Sequence, residues 1–450
     1  EANRAAGGHA AMRWFAEPDP VLRVWTAAGP VAPADLRVCD LDAWSPPAAG
    51  LAVDPVRGRL VAADARFTPV AIDFAYGFAG DLGGGPYDRR AAVACWLDPA
   101  ERPIDWLAGV SVSAAAGSTD PYPSVTAAVA AWNARAEAGR PELGVIAVED
   151  SATYDLAALS TIDLPPGGML AIVAARRLGA SGELDASGLR PHLRGDVQAR
   201  GLPGATPGRL VLDGLLVEGA LRLQPGNLGR VLVSHCTLVP RRGVPAVQAS
   251  GNPDLELDLC RAIAGAVVVV DGAAAVRLAD TIVDAVPAPG DVVAPIAIAA
   301  EAVPARIDAS TVAGATRAQT LDASDSLFTG PVTIARRQTG CVRCCFLPAG
   351  STTPRRFRCQ PDTAIARTGA PAEALVRARL APAFTSLDYG SPGYAQLLDT
   401  VAAELRTGAA DGSEMGAFSF LKQPQRERNL VAALDEYLPA GLDAGIFHVT

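Results

Sequence analysis

Ser324-Asp325-Ser326-Leu327-Phe328 is the last clear copy of a short sequence form that recurs along the second half of the chain. In this form a small or polar pair precedes an aliphatic residue that we expect to point inward. The earlier copies are Asp213-Gly214-Leu215-Leu216-Val217, Ser234-His235-Cys236-Thr237-Leu238-Val239, Leu259-Cys260-Arg261-Ala262-Ile263, Ala279-Asp280-Thr281-Ile282-Val283 and Ala309-Ser310-Thr311-Val312.

The spacing of these copies predicts a solenoid. The anchoring aliphatic residues recur about every 22 residues, the length of one turn of a three-strand β-helix. Each coil has a face that it cannot bury alone, and stacking the coils buries all of these faces as one column. A leucine-rich horseshoe would need a regular Leu-x-x-Leu-x-Leu, which is absent. The anchors are Leu216, Leu238, Ile263, Ile282, Val312, Leu327 and Leu347.

The sequence therefore predicts an all-β protein, a right-handed parallel β-helix solenoid. Between residues 145 and 350 we expect short parallel strands, with Leu238, Ile282 and Leu327 inside the solenoid. The uneven gaps between anchors are then loop insertions, such as Pro287 to Pro295. A low aromatic fraction of 5% suits a core of thin, regularly stacked aliphatic layers.

Three regions are expected along the chain. Residues 1–104 predict a small β-rich domain, with short alternating runs at 22–25, 58–61 and 70–74. Residues 105–375 predict the β-helix with an N-terminal capping helix, opened by Ser124 and closed by Gly139. Residues 376–450 predict a final coil and a C-terminal capping helix. The expected buried face of the first helix is Val125, Ala128, Val129, Trp132 and Ala136, and that of the last is Leu430, Leu434, Leu438 and Leu442.

Charge and hydropathy exclude some partners. The net charge of −9 and the pI near 5.1 argue against nucleic acid, which needs a basic footprint. No apolar stretch reaches the roughly 18 residues of a membrane-spanning helix, so we expect a soluble protein with no membrane span. The chain starts at Glu1 without an initiator Met or an apolar signal core, which indicates a fragment or a processed product.

Four cysteines offer the best metal candidate. Cys341, Cys344, Cys345 and Cys359 have partial zinc-ligand spacing, since thiolates two residues apart can bind one ion. A zinc site usually shows two clean Cys-x-x-Cys pairs, however, and inward positions of neighbouring coils suit small buried thiols. We therefore predict packed, reduced thiols, no metal and no cofactor.

One basic concentration stands out in this acidic chain. The planar guanidinium group of arginine can donate two hydrogen bonds to one carboxylate or phosphate. The six arginines of this region are therefore a candidate binding patch. A solvated face that balances nearby acids is the alternative. The residues are Arg336, Arg337, Arg343, Arg355, Arg356 and Arg358.

Enzymatic signatures are weak. Clustered carboxylates would be needed to cut an acidic polysaccharide, and spacing does not show whether those in the coils converge. His192 and His235 are isolated, and the glycine-rich segment Tyr76 to Pro86 lacks the Lys and Ser/Thr of a phosphate-binding loop, which favours a wide, permissive connection. The carboxylates within the coils are Asp213, Asp280, Asp308, Asp322 and Asp325.

Several segments carry a resemblance. Ser391-Pro392-Gly393-Tyr394 and the run from Asp411 to Phe418 are similar to the closing motif of many bacterial β-helix proteins, with Glu-Met in place of Asp-Ile. The helix followed by a strand near residue 144 resembles the entry to pectin-lyase-like β-helices. Over most of its length the chain resembles bacterial β-helix proteins associated with phage-tail-like contractile injection systems. The segments that carry this last resemblance are 76–89, 341–345, 353–359, 412–418 and 423–426.

This resemblance implies a structural or surface-binding role without catalysis. The expected partners are other subunits of a particle or a surface glycan, and the expected location is a bacterial cytoplasm where the particle assembles, in preference to classical secretion. The alternative is a polysaccharide lyase or glycoside hydrolase acting in a groove of the β-helix. Three or more carboxylates converging with an Arg or His in one cleft would favour the enzyme.

Overall fold

A computed structural model describes most of the chain, and it divides into two compact units, residues 1–78 and 79–450. The described residues are 22–41, 43–54, 58–69, 71–74, 78, 80–97, 102–137, 142–178, 183–287, 290–368, 372–439, 441–442 and 445–446. Val70, Tyr76, Gly77, Ala79, Gly139 and residues 288–289, which the sequence predictions include, lie outside this set.

The described residues of the first unit form mainly short strands. An antiparallel sheet has the order Gly29–Pro30, Leu22–Thr26, Ala71–Phe74. In the other sheet, Leu51–Asp54 pairs in parallel with Leu36–Val38 and antiparallel with Arg59–Ala62. The three alternating runs predicted here are thus confirmed as strands. The described residues of this unit also form two short 3₁₀ helices, Pro33–Asp35 and Ala65–Phe67.

The second unit is a parallel β-helix with three sheets, and the chain visits sheet 1, sheet 2 and sheet 3 in turn. Sheets 1 and 3 form one 17-stranded hydrogen-bonded sheet, because Ile296–Asp308 and Ala315–Ser324 each run through both. Sheet 2 has eight strands. Every pairing within these sheets is parallel, so the predicted solenoid is confirmed.

The strands of sheet 1, besides the ends of those two long strands, are Trp106–Val110, Leu143–Val148, Met169–Ala174, Gly208–Asp213, Leu228–Ser234, Glu256–Cys260, Ala275–Ala279, Gly340–Arg343 and Arg355–Phe357. Those of sheet 2 are Thr153–Asp155, His192–Arg194, Leu216–Glu218, Thr237–Leu238, Ile263–Ala264, Ile282–Asp284, Thr311–Ala313 and Leu327–Phe328. Those of sheet 3, besides the starts of the long strands, are Ile162–Leu164, Val197–Gly201, Leu221–Leu223, Val247–Ala249, Val267–Val269 and Val332–Ile334. A hairpin, Arg176–Leu178 with Glu183–Asp185, is inserted between coils.

The corner from sheet 1 to sheet 2 is the most regular feature of the solenoid. In eight successive coils, this corner contains one residue whose backbone lies in the left-handed region of φ and ψ. That residue changes the direction of the chain between the two strands. The backbone N–H of this residue continues the ladder to the next coil, as when Asp325 donates to the Arg343 carbonyl at 3.2 Å. We call these left-handed corner residues; they are Gly214, His235, Arg261, Asp280, Ala309, Asp325, Cys344 and Arg358.

The residue after each corner points inward and explains the polar part of the repeat. Ser326 Oγ accepts the Ser310 N–H at 3.1 Å and donates to the Ser324 carbonyl at 2.7 Å. Ser310 Oγ accepts from Thr281 N at 3.2 Å, and Cys345 Sγ accepts from Ser326 N at 3.5 Å. Small Ser, Thr and Cys side chains therefore satisfy buried backbone donors from one coil to the next.

The anchor prediction is partly wrong, because the anchors mix two faces of sheet 2. The register pairs Leu238 with Ala264 and Val312 with Phe328, and these belong to the solenoid core. Ile282 and Leu327 are buried too, but they pair with Thr311 in the other column, which faces outward. Leu327 packs against C-terminal residues instead of the core. A step of one residue along a strand reverses the face, and an average period does not resolve that step.

The predicted N-terminal helix is confirmed at Val125–Ala136, with Ser124 Oγ accepting the Ala127 N–H at 3.1 Å. All five residues of its predicted face are buried. Trp132 packs on Gly144 so closely that a Cβ there would lie 2.2 Å from the ring. The helix therefore covers core residues of the first coils, as expected.

Helices also follow the last coil, but the final one does not bury its leucines as predicted. Asp362–Thr368 and Glu373–Arg379 supply Ala364 and Val376 to a cluster with Leu327 and Phe346. The other helices of this unit that the structure describes are Arg90–Ala94, Ala403–Arg406, the 3₁₀ turn Ser419–Leu421 and Gln423–Tyr437.

In the helix Gln423–Tyr437 only Pro424 is buried. Leu430, within the helix, is 49% exposed, and Leu442, beyond its end, is 59% exposed. The predicted burial of these leucines is wrong, because the helices before it already cover Leu327 and Phe346. Among the described helices, none combines the length and apolar character that crossing a bilayer requires.

Two glycine segments cover the outer column of sheet 2, and they dock in the same way. Gly83 N donates to the Arg261 carbonyl at 2.8 Å, and Gly84 N donates to Thr237 Oγ1 at 2.9 Å. Gly416 N donates to the Asp325 carbonyl at 2.8 Å, and Ala417 N donates to Thr311 Oγ1 at 3.0 Å. In both cases the carbonyl belongs to a left-handed corner residue and the threonine to the preceding coil. We call Leu82–Gly84 and Met415–Ala417 the docking segments.

Close approach explains the glycines. A Cβ on Gly83 would lie 2.5 Å from Thr237 Oγ1, and one on Gly416 would lie 2.6 Å from Thr311 Oγ1. Both residues also have positive φ, 73° and 101°. The permissive backbone predicted for the glycine-rich segment is thus present at Gly83, but it serves a tight contact and not a wide connection.

Candidate binding groove

An open groove of about 400 Å³ lies on the outer face of sheet 1. In the first coils this face is apolar and covered, since Val93 and Leu97 pack on Val173, Val211 and Leu232. In the next coil the same outward column becomes charged, because Asp258 pairs with Leu232. The groove is lined by the helix end at Ala92, Cys95 and Trp96, and by Arg230, Leu232, Ser234, His235, Asp258, Leu259, Cys260, Arg277, Leu278, Ala279, Arg306 and Asp308.

Strand register brings the charges of the groove together. Asp258, Arg277 and Arg306 occupy successive rungs of one outward column. Asp258 accepts from Arg230 Nε at 2.7 Å and from Arg277 Nη1 at 3.2 Å. The three arginine side chains remain 41% to 64% exposed, so each offers free guanidinium edge to the groove.

Ion pairs hold the carboxylates at the rim of the groove as well. Glu256 binds Arg277 through both oxygens at 2.7 and 2.9 Å, and this lowers the pKa of Glu256. Asp308 accepts from Arg306 Nε at 2.7 Å and from Ser324 Oγ at 2.6 Å. Glu256 is therefore a poor proton acceptor, because protonation would break its ion pair with Arg277.

His235 closes one end of the groove and is held neutral. Burial, and then the charges of Arg261 and Arg89, lower the pKa of His235 to about 3. Tyr87 Oη lies 2.5 Å from the Gly83 carbonyl and 2.9 Å from His235 Nδ1. The hydroxyl has one proton and the carbonyl can only accept, so Nδ1 carries the proton that His235 donates to Tyr87.

A buried ion pair lies beneath this end. Arg89 and Asp213 are fully buried and joined through Nη1 and Oδ1, and Arg89 Nη2 donates to the Ala174 carbonyl at 2.6 Å. The left-handed corner residue here is Gly214, whose Cβ, if present, would meet the Arg89 guanidinium. Arg89 therefore ties the segment before the solenoid to its coils.

The five predicted carboxylates do not converge on one site. Asp213 is buried with Arg89, while Asp308 lies in the groove and Asp322 accepts the Cys341 N–H at 3.0 Å. Asp280 and Asp325 are left-handed corner residues. Burial raises the pKa of both, and Asp325 accepts the Ala410 N–H at 2.7 Å. His192 lies near Thr153 and Glu218 on sheet 2, away from the groove.

The predicted arginine patch lies at the last coils. Arg343 and Arg355 are exposed on neighbouring strands of sheet 1, and Arg358 is the last left-handed corner residue. Arg336 and Arg337 are exposed in the turn before Gly340. Arg356 is different, because it pairs with Asp362 at 2.8 Å and donates to the Ser351 carbonyl at 2.6 Å. Binding by this patch stays a prediction.

The four cysteines are distributed over different faces. Cys341 is exposed on sheet 1, Cys344 is a left-handed corner residue, and Cys345 and Cys359 are buried core residues. Burial raises the pKa of the Cys345 thiol. In the described part of the chain, no group of three or more His, Cys, Asp or Glu side chains is arranged to hold a metal ion.

Sequence reasoning missed Arg230, Asp258, Arg277 and Arg306. Asp258, Arg277 and Arg306 each lie between apolar residues in a strand, as in Val276-Arg277-Leu278, which is the alternation of a sheet with one buried face. That signal was present, but the rungs align only when the loop lengths between coils are known.

No protein-family model matches the chain, and a comparison with curated proteins finds no significant relative.

Proposed function

We propose that this protein is a non-catalytic β-helix with a structural or surface-binding role, and that it is a component of a phage-tail-like contractile injection particle. The observation that carries the first part is the pairing in the groove, where Asp258 and Asp308 are both engaged by arginine. The second part rests on the sequence resemblance described above.

The groove suits recognition of a polar surface such as a glycan. Exposed guanidinium edges of Arg230, Arg277 and Arg306 donate hydrogen bonds in fixed directions, because carboxylates hold each one in place. Trp96 adds an aromatic edge to the lining. The groove lies on a solenoid whose three sheets are held together by parallel hydrogen-bond ladders. This backbone is rigid, so a ligand would meet preorganised donors.

The enzymatic alternative would use the same groove. Among the described residues, Asp258 and Asp308 line it with three arginines and His235, and Glu256 lies at its rim. Each of these three carboxylates is paired with an arginine. His235 is neutral at physiological pH, but its Nδ1 proton is committed to Tyr87. Cleavage would need a carboxylate released from its arginine.

Glycan arrays and product assays test the groove. We expect wild-type protein to bind a set of surface glycans and Arg277→Gln to lose that binding, while the control Arg200→Gln keeps it. Arg200 is a matched control because it pairs with Asp163 outside the groove. Release of reducing ends or unsaturated uronates from an acidic polysaccharide would overturn the non-catalytic role.

Particle membership has a separate test. Particles purified by sedimentation from a producing strain should contain the protein by mass spectrometry, and deletion of its gene should remove the corresponding density in electron micrographs. Intact, fully infective particles that lack the protein would contradict this part of the proposal without touching the binding role.

A further inference from the structure

A second cavity, far from the groove in sequence, lies in the C-terminal segment of the solenoid unit. It encloses about 260 Å³. A cavity of roughly 150 Å³ accepts benzene, so this one has room for a small ligand. Its walls are Thr385, Gln396, Leu397, Leu398, Asp399, Thr400, Arg406, Glu414, Gln423 and Pro424.

Glu414 is the unusual member of this lining. Its side chain belongs to a residue only 8% exposed, yet its carboxyl group has no hydrogen bond or ion pair with any described residue. Burial raises the pKa of Glu414 to about 7, because it removes much of the water that would stabilise the charged form. Glu414 lines the cavity, so a ligand bound there would supply the partner that the described residues do not.

The charge around the cavity favours a cation. Asp399 and Glu427 are acids near Glu414, and Arg406 is the base that acts on it among the described residues. Arg406 is already engaged, by Glu427 at 2.8 Å and by the Asp399 carbonyl at 3.1 Å. The helix that begins at Gln423 adds only about half a positive charge. Arg406 therefore does not serve as the counter-ion of Glu414 when Glu414 is ionised.

We propose that this cavity binds an alkylammonium group, with Glu414 as its counter-ion. The ammonium nitrogen would donate to the Glu414 carboxylate, and the lining threonine and glutamine oxygens can accept its remaining protons. Leu397, Leu398 and Pro424 would contact the alkyl chain. This site is independent of the groove and of the function proposed above.

Calorimetric titration with 1,4-diaminobutane tests the proposal on the full chain. We expect saturable binding, no binding of 1,4-butanediol, and an affinity at least about tenfold lower for Glu414→Gln near pH 8. The matched control is Glu373→Gln, which alters a surface pair with Arg377. A lysine-containing peptide as a second probe distinguishes a partner's side chain from a free amine, and binding of either probe supports the site.

The pH dependence keeps the proposal falsifiable even if Glu414→Gln folds poorly. Binding requires the ionised acid, so the wild-type affinity should rise about tenfold per unit between about pH 5 and pH 6 and level off above about pH 7. Absence of binding, equal binding of the diol, or an affinity that does not change over this range would overturn the proposal.

Discussion

The two docking segments make the same hydrogen bonds with sheet 2 but differ in the acid that precedes them. Asp81-Leu82-Gly83-Gly84 and Glu414-Met415-Gly416-Ala417 align residue for residue, and Leu82 and Met415 are both buried. Asp81 is exposed, whereas Glu414 is buried in the C-terminal cavity. Docking therefore requires the glycine and the N–H that follows it, but not a buried acid.

The origin of this difference is what packs outside each segment. Met415 N donates to the Leu405 carbonyl at 3.0 Å, so chain from the C-terminal region lies over the second segment. The first segment has Tyr87 and His235 beside it. The two docking segments thus make the same contact with the solenoid. The first lies beside the hydrogen-bonded pair Tyr87 and His235, and the second lies beside a polar cavity.

The largest expected effect comes from adding a side chain to the glycines of the docking segments, because a Cβ would prevent their close contact with sheet 2. Gly83→Ala and Gly416→Ala each place a Cβ within 2.6 Å of a threonine oxygen, at a positive φ. We expect each to lower the free energy of unfolding by about 4 kcal/mol or more, measured by chemical denaturation.

Gly243→Ala is the control for these substitutions, because Gly243 has a φ of 70° but no atom within 4 Å of the added Cβ. It should cost only about 1 kcal/mol. Equal costs at all three glycines would show that backbone conformation alone accounts for the effect and that the contact with sheet 2 does not.

Acid should weaken the region of the first docking segment. His235 has a pKa of about 3 when folded against 6.5 in the reference state, so the unfolded chain binds the extra proton. The stability that this residue contributes is present above about pH 6.5 and is lost as the pH falls towards 3, by up to about 4 kcal/mol.

His235→Asn keeps a side chain that tolerates the left-handed corner and removes the titration. Unfolding followed as a function of pH should therefore be flatter in this variant between about pH 6 and pH 4. Identical pH profiles for variant and wild type would contradict a buried neutral histidine.

Alkali should weaken the region of the second docking segment. The pKa of Glu414 rises from 4.5 to about 7 on folding, so the folded chain binds the extra proton. Stability is fully present below about pH 4.5 and falls as the pH rises through 7, by about 3 kcal/mol. Glu414→Gln should remove this loss, and a variant that is less stable than wild type near pH 8 would show that Glu414 has a stabilising partner.

The smallest effects concern the threonine acceptors. Thr237→Val and Thr311→Val preserve shape but leave the N–H groups of Gly84 and Ala417 without their acceptors, so each should cost about 1 to 3 kcal/mol. Equal costs would support equivalent docking. Thr316→Val is the control, because the buried Thr316 hydroxyl has no partner among the described residues, and its removal should be neutral or stabilising.

Much of the solenoid could be predicted from local pattern. The period of the repeat, the helix at Val125–Ala136 and the strands of the first unit all follow from residues close in sequence. Register could not be predicted in the same way. Leu327 and Phe328 are adjacent apolar residues, and only pairing with Thr311 and Val312 decides which one enters the core.

The candidate groove shows the same limit. Asp308 was recognised as a carboxylate within a coil, but its neighbours Arg277 and Arg306 were not singled out, since they come from other turns of the chain. The basic patch noticed in the sequence is a cluster along the chain, and Arg356 in it turns out to pair with Asp362.

By itself, the sequence determined that this protein is a stacked parallel β-helix, because a coil that cannot bury its own face must recur at a fixed period. Only the tertiary structure decided which side of each strand faces the core, where the charges of successive coils meet, and that segments more than 300 residues apart dock alike. Those outcomes depend on loop lengths and on backbone contacts between distant segments. The pattern of side chains within one stretch of sequence specifies neither of them.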